Sequence, residues 1–426
     1  MPTASIFTLG CRLNQADSAL IADLLTRAGY DLVEWNETAD VVVINGCVVT
    51  ATAGQKTRQA VRAARKRCPD ACIVLVGCAA SLEKDTPNLP ADLILDNSRK
   101  NELLSHLPAT PSTLSTRSIS SKPSANFSES GTGLYTDRTR ANLKVQEGCD
   151  FFCSYCIVPH VRGKPRSRDW NDVLREAREL IGRGHRELVL TGVNLGTYND
   201  NGRDLADLIR AIADLPGEFR IRLGSVEPIP VVRRVVDVMA ELAPRVCRFL
   251  HLPLQYGEDT ILNAMNRRYT TAEFQGHAEY ALEKIDGLCL GTDLIVGFPG
   301  ETETEFAKSA NFIKNIPWGN MHVFRFSPRE GTPAAKRKNE MPNGKVAAER
   351  SREIEKIYTE KLEEFKCSQL GKTLPVLIES QTESGESLGW SDNYLEFEIQ
   401  GTFAPGTLAQ VMIQGLKKDR RVVASG

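Results

Sequence analysis

Cys149-Asp150-Phe151-Phe152-Cys153-Ser154-Tyr155-Cys156 brings three thiols into one short run. The C-x-x-x-C-x-x-C spacing lets a tight loop wrap one inorganic cluster. Three thiolates hold three irons of a 4Fe-4S cluster and leave the fourth open to a substrate or cofactor, which a fully Cys-ligated electron-transfer cluster does not do. A zinc site completed by His160 is the alternative, but the strand that precedes the run and the aromatic Tyr155 before its last Cys fit the cluster better. A second set is spread out: Cys11, Cys47 and Cys78 each follow a short apolar run, Phe7-Thr8-Leu9-Gly10, Val43-Ile44-Asn45-Gly46 and Leu75-Val76-Gly77. In a parallel sheet those carboxyl ends open on one edge, with neighbouring strands about 4.8 Å apart. Three distant thiols can therefore converge there, where doubly wound sheets also bind ligands. Buried structural thiols are the alternative for this set. The remaining cysteines, Cys68, Cys72, Cys247, Cys289 and Cys367, read as small buried hydrophobes.

Composition limits the setting. The 426 residues carry 53 Lys+Arg against 54 Asp+Glu, 41% hydrophobic and 25% charged residues, ordinary globular chemistry at two to three domains' length. No apolar run approaches the roughly 18 residues that cross a bilayer, and Met1-Pro2-Thr3-Ala4-Ser5 lacks a secretory signal's basic and apolar parts. A cytoplasmic chain is expected. There, eleven cysteines serve as metal ligands or catalytic thiols more readily than as a disulfide framework. A net charge of −1 excludes a bulk electrostatic binder of nucleic acid, so any such site is regional.

The elements that must position the two sets alternate between strand and helix. Ser5–Leu9, Val41–Ile44 and Ile73–Val76 read as strands, and 16–28 and 54–67 as helices, which predicts a small doubly wound parallel sheet. Residues 108–133, rich in Ser, Thr, Pro and Gly, read as a linker. Strands are expected at 143–146, 187–190, 220–223, 249–252, 289–296 and 322–326. Helices alternate with them at 173–181, 205–213, 231–242, 271–284 and 303–315, which implies a parallel barrel of about six β-α units. A charged helix spans 344–370. After it, Val376-Leu377-Ile378, Tyr394-Leu395-Glu396-Phe397 and Gln410-Val411-Met412-Ile413 read as strands of a small all-β barrel.

The triplet and its aromatic resemble the radical S-adenosylmethionine (SAM) superfamily. With the amino-terminal cysteines, the chain resembles the methylthiotransferase family. The matches are Thr8-Leu9-Gly10-Cys11-Arg12-Leu13-Asn14-Gln15, Gln146-Glu147-Gly148-Cys149, Arg162-Gly163, Ser167-Arg168, His251-Leu252-Pro253-Leu254-Gln255, Gly297-Phe298-Pro299-Gly300-Glu301-Thr302 and Ser327-Pro328-Arg329-Glu330-Gly331-Thr332-Pro333. This resemblance implies an α/β fold in four parts: a doubly wound parallel-sheet domain at 1–107, a linker at 108–134, a partial (β/α)6 radical SAM barrel at 135–366 and a small all-β TRAM barrel at 367–426. It also implies two 4Fe-4S clusters, one on the catalytic Cys149, Cys153 and Cys156, the other on Cys11, Cys47 and Cys78. SAM would chelate the open iron of the first, with Tyr155 near its adenine. Thr191, Gly192, Asn194, Ser225, Glu227, Gln255, Ile295 and Gly297, at strand ends, would line its pocket. Gly46, His160 and Tyr256 stand where the family usually has Thr, Tyr and Ser.

The implied chemistry divides between the clusters. A radical formed at the first removes hydrogen from an unactivated carbon, a task acid-base catalysis cannot perform on an aromatic C–H, and the second carries sulfur. A second SAM supplies the methyl group. Two basic runs, Lys56 to Arg67 and Arg162-Gly163-Lys164-Pro165-Arg166-Ser167-Arg168, and the end Lys417-Lys418-Asp419-Arg420-Arg421 suit phosphate contacts. RNA is thus the expected substrate. The motifs look most like the branch acting on N6-threonylcarbamoyladenosine next to the anticodon of tRNA, where carbon 2 of the base is methylthiolated. The partners implied are the anticodon stem-loop, an electron donor such as flavodoxin and a sulfur source, with a monomer and no membrane. Alternatives are isopentenyladenosine in tRNA, an aspartate of a ribosomal protein, and a non-catalytic iron-sulfur RNA sensor.

Overall fold

The computed structural model describes residues 1–82, 88–107, 117–119, 131–135, 139–417 and 422–425, with the backbone alone at 117–119 and 425. It divides into two compact units. The first comprises Met1–Thr136, Lys144–Asp172 and Ser327–Ala335, and the second Asp137–Leu143, Val173–Phe326 and Lys336–Gly426.

The first unit is built on six parallel strands: β1 (Thr3–Thr8), β2 (Asp31–Leu32), β3 (Val41–Gly46), β4 (Cys72–Gly77), β5 (Leu93–Leu95) and β6 (Arg117–Ile119), in the order β2-β1-β3-β4-β5-β6. Every residue of β3 and β4 is buried, as their unbroken apolar runs require of strands covered on both faces. On one face Val42, Ile44, Ile73 and Leu75 pack with Val61 and Ala64 of helix α2 (Ala51–Arg67). On the other, Val41, Val43, Val74 and Val76 pack with Ile21 and Leu25 of helix α1 (Arg12–Arg27). Each such side chain contributes roughly 1.5–3 kcal/mol by leaving water. The expected doubly wound sheet is present. One expectation changes: residues 117–119, inside the stretch read as linker, form the edge strand β6 on β5. A Ser/Thr-rich segment can pair its backbone with a sheet edge without an apolar pattern to announce it. The rest of that stretch, up to residue 130, lies outside the described residues.

In the second unit β7 (Arg140–Lys144), β8 (Glu187–Thr191) and β9 (Arg220–Leu223) form one sheet, and β10 (Phe249–His251), β11 (Cys289–Val296) and β12 (Asn320–Arg325) form another. Parallel bridges Ile221↔Val246 and Ser225↔His251 join the β9 side to the β10 side, giving the open six-stranded barrel the sequence implied. Helices Leu205–Ala213 and Thr271–Lys284 lie between strands, each started by a capping box, Asp204 with Asp207 and Thr270 with Glu273.

After the helix Gly344–Cys367 comes a closed five-stranded barrel: β13 (Thr373–Gln381), β14 (Ser387–Ser391), β15 (Glu396–Gln400), β16 (Leu408–Leu416) and β17 (Val422–Ser425). Tyr394, read as part of a strand, instead sits in the turn before β15 with φ of 64°, because the chain reverses there. Cys367, read as buried, is exposed at the helix end. The small barrel is tied to the starts of β8 and β9: Arg220 donates to the Pro375 and Trp390 carbonyls at 3.1 and 2.8 Å, and Arg222 to those of Asp392 and Ser391 at 3.1 and 2.9 Å. Both guanidiniums also pair with the fully buried Glu187. Burial alone would raise the Glu187 carboxyl, but Arg222 and Arg220 hold it far below the usual carboxylate range.

Candidate functional site

Cys11, Cys47 and Cys78 stand at the carboxyl ends of β1, β3 and β4, adjacent strands whose register runs Thr8↔Asn45 and Gly46↔Gly77. Two glycines make the edge passable. Gly77, at φ +85°, has Asn45 Oδ1 2.3 Å from where a Cβ would lie, and a Cβ at Gly46 would stand 2.4 Å from Thr57 Cγ2. The family's usual Thr could not fit at position 46 without repacking. Thr57, from α2, brings a hydroxyl to this edge: it accepts the Cys47 N–H at 3.2 Å and donates to the Cys47 carbonyl at 3.0 Å. A Cβ at Gly10 would come within 3.3 Å of Cys47 Sγ, so the turn before Cys11 passes directly beside the Cys47 thiol. Burial raises the Cys47 thiol to about 11, and the nearby Cys78 and Cys11 sulfurs add to the rise. The three thiols thus share one electrostatic environment.

One cation enters it. Arg162 donates from Nε to Cys78 Sγ at 3.2 Å, from Nη1 to Glu147 at 2.6 Å and from Nη2 to Asn14 Oδ1 at 2.6 Å. Burial alone would lower the guanidinium, yet Cys78, Asp17 and Glu147 hold it charged well above the usual range. The residues fit a cluster chemically, offering soft thiol ligands and a buried counter-charge.

Cys149, Cys153 and Cys156 lie in the same unit on a loop fixed by its backbone. The Cys149 N–H donates to the Gly163 carbonyl at 3.0 Å, and the Cys156 N–H to that of Cys153 at 2.9 Å. Gly148 has φ +76°, and a Cβ there would lie 2.0 Å from the Lys164 carbonyl oxygen, so no other residue fits. Ile157 and Val161, just past the loop, are buried in the core beside Ile44, Leu75 and Cys78. Phe152 takes φ 48° and leaves its ring half exposed, edge-on to His160 at 6.1 Å. Among the described residues no three His, Cys, Asp or Glu side chains gather closely enough to hold a single metal ion. A 4Fe-4S cage takes its thiolates one per iron.

The strand-end residues expected around SAM lie in the second unit. Thr191 ends β8, and the buried Asn194 accepts, through its carbonyl, the Thr197 amide at 3.0 Å and hydroxyl at 2.8 Å. Gly192 follows Thr191 in the same loop, and Ser225 bridges to His251. Glu227, raised by burial, is paired with Arg267, a partner the sequence reading did not supply. Arg267 Nε also donates to Tyr269 Oη at 3.0 Å. Gln255, at φ 68°, takes its N–H to the Asp293 carbonyl and accepts that of Ile295, both at 2.8 Å. Gly297, at φ +77°, donates its N–H to Glu301, and a Cβ there would meet Ala347 Cβ at 2.9 Å.

Further polar groups of this unit were missed. His251 pairs with Asp293 at 3.2 Å, and its ring stands 6.0 Å from that of His322, which in turn is 6.3 Å from Phe324. The two-residue spacing of His322 and Phe324 on β12 was the available signal. The basic runs turn out unlike expectation. Lys56, Arg62 and Lys66 are exposed on α2, but Arg65 binds Asp92 and Arg67 stacks on Trp35. In the second run Arg162 and Arg168 are buried, and Arg166 pairs with Glu147 at 3.4 Å with its side chain 8% exposed. Its three arginines serve the interior, where carboxylates meet them, and Lys164 alone of its basic residues is exposed. Lys418 to Arg421 lie outside the described residues.

An open six-stranded barrel, a triplet on a glycine-fixed loop and a thiol-bearing parallel sheet define a radical SAM enzyme with a second cysteine domain. The family described as the radical SAM superfamily matches residues 143–313, and that described as uncharacterized protein family UPF0004 matches 3–93. The chain is 33% identical to the threonylcarbamoyladenosine tRNA methylthiotransferase MtaB of Bacillus subtilis (strain 168), over 94% of this chain and 91% of that one. It is also 33% identical to the tRNA-2-methylthio-N(6)-dimethylallyladenosine synthase of Alkaliphilus oremlandii (strain OhILAs), over 90% and 84%. The radical SAM methyltransferase TsrM of Kitasatospora setae has a similar fold, with a TM-score of 0.55 and 14% identity over 79% of this chain and 74% of that one. The chain belongs to the radical SAM tRNA methylthiotransferase family. A radical SAM enzyme uses a 4Fe-4S cluster and SAM, and the substrate of this family is tRNA. No described helix is long and apolar enough to cross a membrane.

Proposed function

We propose that the chain adds a methylthio group to carbon 2 of N6-threonylcarbamoyladenosine next to the anticodon of tRNA, using two 4Fe-4S clusters. The observation that carries this reading is the convergence of Cys11, Cys47 and Cys78 on one sheet edge with Arg162 on Cys78, in a chain that also holds the triplet loop. When bound, the first cluster and SAM supply the radical chemistry. The chain's own residues do the rest. Cys149, Cys153 and Cys156 hold the catalytic cluster, the glycine-fixed turn at 148 keeps their loop in place, and the strand ends of the second unit bind SAM. Cys11, Cys47 and Cys78 hold the cluster that carries sulfur. In this reading a monomer of three functional segments, 1–107, 135–366 and 367–426, takes the anticodon stem-loop, an electron from a flavodoxin-type donor and sulfur from a separate source. The base must be splayed from its neighbours to react.

The threonylcarbamoyl substituent is supported by Thr8-Leu9-Gly10-Cys11-Arg12-Leu13-Asn14-Gln15 and by full-length relatives of that name. A second reading, dimethylallyladenosine, is favoured by relatives of equal identity. Mass spectrometry of tRNA nucleosides from a strain lacking the protein decides between them: the methylthio form of threonylcarbamoyladenosine disappears and returns on complementation. Loss of the methylthio dimethylallyl nucleoside instead would replace the first reading with the second.

A further inference from the structure

We infer that Arg162 is a positioning residue for the amino-terminal thiol set, a buried cation that seats Cys78 and balances the negative charge of a cluster on Cys11, Cys47 and Cys78. This rests on the two-cluster reading above. The guanidinium reaches all three ligand loops. It donates to Cys78 Sγ directly at 3.2 Å, and through Asn14 it touches the other two: Asn14 Nδ2 donates to the Leu9 carbonyl at 2.7 Å, ahead of Cys11, and to the Gly46 carbonyl at 3.3 Å, ahead of Cys47. The turn that aims it is the one that seats the triplet, since Gly163, the next residue, accepts the Cys149 N–H.

The negative charge of a thiolate-ligated cluster gives the reason for a cation here. Asp17 is buried with Lys100 and Lys144, each at 2.8 Å, and with Arg162 at 3.3 Å. Glu147 meets Lys144 at 3.0 Å, Arg162 at 2.6 Å and Arg166 at 3.4 Å. Asp17 and Glu147 thus grip the Arg162 guanidinium on the side away from the thiol. So held, Arg162 turns its Nε–H toward the sulfur of Cys78. Three thiolates outweigh the charge of an oxidised 4Fe-4S core, and one-electron reduction adds a further negative charge, which a fixed neighbouring cation stabilises.

The test uses the full-length chain with Cys149, Cys153 and Cys156 replaced by Ala, so that only the amino-terminal set can hold a cluster. After anaerobic reconstitution, iron content is measured and the cluster is titrated with dithionite under electron paramagnetic resonance, for that parent and for its Arg162→Gln and Arg162→Lys variants. The Gln variant is expected to shift the reduction equilibrium about tenfold toward the oxidised cluster, about 60 mV for one electron, with Lys restoring most of it. Iron lost from both variants, while Arg162→Gln in the chain with its triplet intact keeps the triplet's iron, supports the same role. Equal potentials at full iron content, or loss of iron from the triplet as well, overturn it. A parent that holds no iron overturns the second cluster itself, before Arg162 is compared.

Discussion

The triplet Cys149, Cys153 and Cys156 is gathered by one short loop, whereas Cys11, Cys47 and Cys78 come from three strand ends far apart in the chain. The first set is held by local backbone: a glycine that no Cβ can replace and an amide donated to Gly163. The second is held by sheet register, by Thr57 on the Cys47 backbone and by a buried ionic network that ends on Cys78. A local loop tolerates change in distant packing. A set assembled from strand ends depends on the whole sheet, so its failure modes are those of the fold.

Sharp tests of that contrast begin with the ligands. Cys153→Ala is expected to abolish SAM cleavage, with 5′-deoxyadenosine falling by more than about a hundredfold by chromatography, on the scale of removing a group that acts only in the transition state. Cys47→Ala is expected to spare cleavage and stop methylthio transfer, and methylthio product at the unsubstituted level in that variant would remove the division of labour. Gly148→Ala comes next, since it combines left-handed backbone with a 2.0 Å clash against the Lys164 carbonyl. A loss of roughly 1–3 kcal/mol or more is expected, with iron lost from the triplet first.

The second unit offers a control away from both cysteine sets. Glu187→Gln leaves Arg220 and Arg222 buried without their carboxylate and is expected to cost roughly 3–5 kcal/mol in denaturant unfolding. Because the folded Glu187 pKa is depressed, its contribution is full above the free value of about 4.3 and is lost as pH falls below it. The unsubstituted chain should therefore lose stability between pH 5 and 3 more steeply than Glu187→Gln, by up to roughly 1.4 kcal/mol for each pH unit below the free value. The smallest effect is expected from Thr57→Val, which leaves the buried Cys47 N–H without its acceptor: about 1–3 kcal/mol, with iron lost from the amino-terminal set and the triplet unaffected.

How much of this was legible in sequence follows the same contrast. The triplet was plain from spacing, because all its geometry lies within a few bonds of itself. Strands 220–223 and 289–296 were read to the residue: Arg220-Ile221-Arg222-Leu223 alternates charged and apolar residues, and the longer strand closes on Leu294-Ile295-Val296. Tyr394 was misplaced because a single residue with positive φ ends an apolar run without interrupting it. Arg162, Arg166 and Arg168 were read as facing phosphate, because a basic run has the same composition whether it meets solvent or buried carboxylates.

The sequence by itself determined the family and the order of the elements, since both are written in residue type and spacing. The tertiary structure alone decided which charges are inside. Asp17, Lys100, Lys144, Glu147 and Arg162 come from segments with no common pattern, and they interact only because folding removes the water that would otherwise screen them.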